Sequence, residues 1–164
     1  MRTHLLVPVI AFAAALFVFT APSLRAARSN AAGLPAGETA VASVLERSPR
    51  HGEFVDIPYE GHAPLRTWVV YPERKDKAGV VLVIHEIFGL SDWIRGVADQ
   101  FAAEGFIAVA PDLVSGLAPG GGGTDSASTR DDVVKLVRQL TPEEAAARLA
   151  AVRAWAARIP AANG

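Results

Sequence analysis

The sequence predicts an α/β fold in which two buried parallel strands are joined by a helix. Three observations carry this. First, Gly79-Val80-Val81-Leu82-Val83-Ile84 is an unbroken apolar run, rich in β-branched residues and of strand length. Such a run reads as a strand covered on both faces. Second, Phe106-Ile107-Ala108-Val109-Ala110 is another such run, closed by Pro111-Asp112. Third, Ile94, Val97, Ala98, Phe101 and Ala102 recur between them at helical spacing, with Ser91 placed to cap the helix and Gly105 to stop it. Strand, helix and strand within about 30 residues make a βαβ unit, whose crossover should be right-handed.

The chain leading to this unit divides in two. Residues 1–27 read as a secretory signal: Arg2 and His4 give a polar start, residues 5–21 are apolar apart from Pro8, and small residues follow at Ala26 and Ala27. This predicts export to a periplasmic or extracellular compartment, with no stable membrane span after cleavage; the alternative reading is an uncleaved anchor, the apolar run being near the lower limit for a span. Residues 28–51 are rich in Ala, Gly and Ser and read as a linker, with room for one short helix around residues 39–46. The folded domain is expected over residues 52–164. It opens with a β-hairpin signal: residues 53–59 and 65–72 alternate in polarity around the turn-like Glu60-Gly61-His62-Ala63-Pro64.

Beyond the second strand, Pro119-Gly120-Gly121-Gly122-Gly123-Thr124 reads as part of a mobile surface loop or lid. It lacks the Lys-Ser or Lys-Thr and the preceding strand of a phosphate loop. Residues 130–140 read as a short helix. Thr141-Pro142-Glu143-Glu144 opens another, with a capping box between Thr141 and Glu144. Its apolar face holds Leu149, Val152, Trp155, Ala156 and Ile159, and Arg148, Arg153 and Arg158 suit a solvated face. Asn163-Gly164 looks like a turn into a further strand.

Composition narrows the function. The 164 residues suffice for one domain, and 51% apolar residues exclude a disordered chain. A net charge of −1, with Lys and Arg interleaved among acids and alanines, gives no footprint for nucleic acid. There is no cysteine, hence no disulfide, thiolate metal site or cysteine nucleophile within these residues. The four histidines have no metal-binding spacing, and no Gly-x-Ser-x-Gly elbow occurs. No metal or organic cofactor is implied, and nothing sets the oligomeric state. Asp112, after Pro111, reads as a turn former. Glu86 differs, because it follows directly on a buried strand, where ligands bind in open α/β sheets. Its position leaves two readings open: a solvated or ion-paired strand-end carboxylate, or a group for chemistry.

The run His85-Glu86-Ile87-Phe88-Gly89-Leu90, a helix, and then Gly105-Phe106-Ile107-Ala108-Val109-Ala110-Pro111-Asp112-Leu113 together resemble the dienelactone hydrolase family of the α/β-hydrolase fold. The resemblance covers about residues 53–164. It implies the N-terminal half of an α/β-hydrolase sheet acting on a small-molecule carboxylic ester or lactone. Glu86 matches the family glutamate that contacts the nucleophile, usually a cysteine, and takes part in its activation. The backbone N–H of Ile87 matches an oxyanion-hole donor. Arg130 falls where an arginine beyond the lid loop binds the substrate carboxylate. The family's nucleophile elbow, triad Asp and triad His follow the Asn-Gly turn and are not among these 164 residues. The expectation is therefore a hydrolase-family chain that is inactive as written. The alternative is a non-catalytic exported small-molecule-binding protein or a non-functional remnant.

Overall fold

The computed structural model describes residues 36–163, so the expected signal peptide lies outside the described residues. The elements run α1 (Glu38–Glu46), β1 (Gly52–Ile57), β2 (Leu65–Val70), β3 (Val80–Leu82), α2 (Asp92–Ala103), β4 (Ile107–Pro111), α3 (Arg130–Val137) and α4 (Pro142–Ala156). The strands form one sheet in the order β1-β2-β4-β3. The hairpin pairs β1 with β2 antiparallel, from Gly52 opposite Val70 to Ile57 opposite Leu65. β2 also runs antiparallel to β4, whereas β3 and β4 are parallel, with Val80 opposite Ile107 and Leu82 opposite Val109.

Alternation along the strands divides the core into two layers. Ile57, Leu65, Val69, Ile107 and Val109 face α4 and meet Val152, Ala156 and Ile159. Val70, Ala108 and Ala110 face the other way, onto Ile94, Ala98 and Ala102 of α2. Each fully buried Val, Leu or Ile side chain among these contributes about 1.5–3 kcal/mol. Local chemistry fixes the ends of α2: the Ser91 hydroxyl accepts from the Ile94 N–H at 3.4 Å, and Gly105 follows the helix at φ +95°.

Four features differ from the sequence-based expectation. The regular part of β3 stops at Leu82, and the run is not covered on both sides. Val80, Val81 and Leu82 are half-buried and Ile84 is 54% exposed, because β3 is an edge strand of this sheet. Along the edge away from β4, a parallel bridge joins Ala78 to Ala162.

Secondly, the stretch read as a linker packs on the domain, although its helix, α1, falls where the sequence predicts a short helix. α1 lies on α2, with Val41 only 1% exposed. The Ser48 hydroxyl and the Arg50 guanidinium both donate to the buried Asp99 carboxylate, at 2.5 to 2.9 Å. The hydrogen bond that Arg50 donates to Asp99 raises the Arg50 pKa above its ordinary value, against the lowering effect of burial.

Thirdly, the glycine-rich segment is folded back on the sheet rather than loose. The N–H groups of Gly116 and Ala118 donate to the Gly122 carbonyl, and the Thr124 N–H and hydroxyl both donate to Asp112, at 2.7 and 2.8 Å. Asp112 also accepts from the Val114 N–H, as expected of a turn former, but its larger part is to pin this loop.

Fourthly, Arg148 is buried at 2% exposure instead of solvated. It donates to Glu144 Oε1 and to the Ser115 carbonyl, both at 2.7 Å. Glu144 is thereby drawn along the helix to Arg148. The Thr141 hydroxyl still caps α4, accepting from the Glu144 N–H at 3.1 Å.

Candidate active site

The site begins where β3 ends. The chain leaves Leu82, passes His85 and turns through Glu86–Gly89 into α2. The turn closes by a hydrogen bond from the Gly89 N–H to the Glu86 carbonyl at 3.2 Å. Gly89 sits at φ +68°, a region costly for other residues, and a Cβ there would overlap the Thr124 hydroxyl. That hydroxyl accepts from the Leu90 N–H at 3.0 Å while donating to Asp112. One threonine thus ties the turn after β3 to the end of β4.

His85 anchors the turn from below. Its side chain is almost fully buried. Nε2 receives the Leu113 N–H at 3.0 Å and must accept, so the proton resides on Nδ1, which donates to the Glu86 carbonyl at 2.8 Å. The Glu86 carbonyl is held on two sides. In a planar trans peptide the following N–H, that of Ile87, points the opposite way. Fixing the carbonyl therefore fixes the direction of the Ile87 N–H.

Glu86 is exposed. Its Oε2 accepts from the Phe88 N–H at 3.2 Å, a bond that holds the carboxylate over its own turn. Arg130, the first residue of α3, lays its guanidinium over the Phe88 ring, 3.7 Å from the centroid. The same guanidinium bonds Glu38 of α1. Glu38, Glu86, Phe88, Ser91, Trp93 and Arg130 line one open cleft of about 300 Å³.

The structure therefore brings Glu86 and Arg130, 44 positions apart in the chain, to one cleft, and Ile87 is not among the residues that line it. Sequence reasoning missed three contributors. Phe88 is the platform for Arg130, Glu38 is the arginine's partner, and His85 is the anchor. The last had a signal, since a histidine inside an apolar strand end needs buried hydrogen-bond partners. Glu38 had none, lying in a segment without a strand or core pattern.

A carboxylate and a cation thus share a cleft at the carboxyl end of a parallel strand, between a βα turn and the following loop, which is where ligands bind in open α/β sheets. The sequence signature of the dienelactone hydrolase family matches residues 65–163. The chain belongs to the dienelactone hydrolase family.

An Escherichia coli K12 protein named as a carboxymethylenebutenolidase is 28% identical over 136 residues, covering 80% of this chain and 49% of that protein. An Azospirillum brasilense protein of the same name is 37% identical over 66 residues, 40% of this chain and 29% of its own. The crystal structure of a Klebsiella pneumoniae protein described as a dienelactone hydrolase superposes with a TM-score of 0.55 at 27% identity, covering 66% of this chain and 44% of that one. The chain thus spans about half the length of such relatives or less.

Proposed function

We propose that these residues form the N-terminal half of an exported hydrolase of small carboxylic esters or lactones. In this reading Glu86 assists activation of the nucleophile, the Ile87 N–H stabilises the oxyanion, and Arg130 binds a carboxylate on the substrate. The observation that carries it is the shared cleft of Glu86 and Arg130 at the end of β3, inside the segment that matches the family.

Ester hydrolysis through an acyl-enzyme needs a nucleophile, its base and an orienting acid within hydrogen-bond reach. Among the described residues no serine hydroxyl bonds a histidine ring, and the sequence has no cysteine. The 164 residues alone are therefore expected to show no esterase turnover. Purified residues 28–164 tested on a simple aryl ester check this, and clear turnover unaffected by Glu86→Gln would contradict the assigned roles. Reading the gene past the Gly164 codon is the complementary test. A continuation with an elbow nucleophile, an Asp and a His supports the hydrolase. A stop codon favours a non-catalytic binding protein or a remnant.

A further inference from the structure

Arg130 already holds a carboxylate. Glu38, in the first turn of α1, places Oε1 at 2.6 Å from Nη2 and Oε2 at 2.9 Å from Nη1. This is the two-pronged geometry with which a guanidinium recognises any carboxylate. Both side chains are about half exposed, so an outside carboxylate has access to the same nitrogens. The guanidinium is meanwhile oriented by Phe88, independently of Glu38.

The placement of Glu38 is built in. Val41, one turn further along α1, is buried against α2 at Gly96, where a Cβ would overlap Val41 Cγ2. The other end of the segment is tethered by Ser48 and Arg50 to the buried Asp99. A helix clamped at both places presents its first-turn acid to the cleft mouth as a fixed feature of the chain.

We propose that α1 is a strap that keeps Glu38 in the carboxylate subsite of Arg130, so that a small carboxylate ligand binds by displacing it. The proposal rests on the reading of Arg130 as a carboxylate site. Glu38 is an intramolecular competitor, and its contact is an exposed ion pair. Such pairs are weak, so the competition should lower ligand affinity by only about two- to fivefold. The strap then tunes the affinity of the site without closing it.

Arginine modification by phenylglyoxal, read at Arg130 by peptide mass spectrometry on the full chain, tests this with benzoate as the protecting carboxylate. Glu38→Gln is expected to speed modification of Arg130 and to lower the half-protecting benzoate concentration by about two- to fivefold. Gly96→Ala, which sets a methyl against Val41 and lifts α1, should reproduce both changes. Glu143→Gln, an exposed first-turn acid on α4, should change neither. Benzoate protection that is the same in Glu38→Gln as in the parent would overturn the strap and leave the carboxylate site standing. Failure of benzoate to protect Arg130 in every variant would remove the carboxylate site, and the strap with it.

Discussion

His85 and Glu86 are neighbours with opposite work. His85 is buried and fully bonded, joining the Leu113 N–H to the Glu86 carbonyl. Removing its ring leaves both groups without that partner, and a buried unsatisfied group costs about 1–3 kcal/mol. His85→Ala is expected to lose stability in that range by urea unfolding. Glu86 is exposed and, among the described residues, accepts a backbone bond from Phe88. Glu86→Gln should stay within about 0.5 kcal/mol of the parent, and a larger loss would show that Glu86 has a structural role. Gly89 gives a third case. At φ +68°, with the Thr124 hydroxyl where a Cβ would go, Gly89→Ala combines backbone strain with the loss of a tie to Asp112. A cost of about 1–3 kcal/mol is expected, read by the same unfolding midpoint.

The elements differ in how plainly their sequences announce them. α2 follows from its helical spacing and cap, the hairpin from a turn between two alternating runs, and β4 from an unbroken apolar run that is buried throughout, because each of these signals is local. The half-exposure of β3 was not legible, since an apolar run reports hydrophobicity and not how many neighbours the strand has. Burial of Arg148 was hidden for a similar reason. Its partners are the Ser115 carbonyl, 33 positions away, and a glutamate whose capping-box spacing pointed elsewhere. Glu86 and Arg130 were legible only as single residues matched to a family, and their common cleft needed the fold. α3 offers a test at its own start. Asp132 bonds Lys135 and the capping Thr129, and these hold its carboxyl below the ordinary value of 3.8. A depressed carboxylate contributes stability above the ordinary pKa and loses it as pH falls through the lowered one. An NMR titration of Asp132 should show a midpoint below 3.8, returning towards it in Lys135→Met.

For the chain as an assembly, the edge of β3 decides behaviour. Beyond the bridge from Ala78 to Ala162, Val80 to Leu82 present an apolar strand with one partner strand, and Ile84 is exposed beside it. Unpaired apolar edges template association. Residues 28–164 are expected to self-associate or to unfold without a sharp transition, as sizing and urea titration would show. A monomer with a steep transition would instead mark a self-sufficient domain. Export is a separate expectation: residues 1–30 fused to a reporter active only outside the cytoplasm should give signal and be cleaved, and a reporter retained and uncleaved would refute the leader. A last consequence follows from the layer between β4 and α2. Ala108 and Ala110 of the sheet meet Ala98 and Ala102 of the helix, all buried at 1% exposure or less. Side chains this short act as a spacer of fixed thickness, with no slack to absorb a larger group by changing rotamer. Ala108→Leu should therefore cost about 1–3 kcal/mol by overpacking and shift α2 outward as a rigid rod. The rod carries Ser91 and Trp93 of the cleft at one end and Gly96, the seat of α1, one turn later. The calibre of the cleft is thus set at a distance, by methyl groups that never touch what enters it.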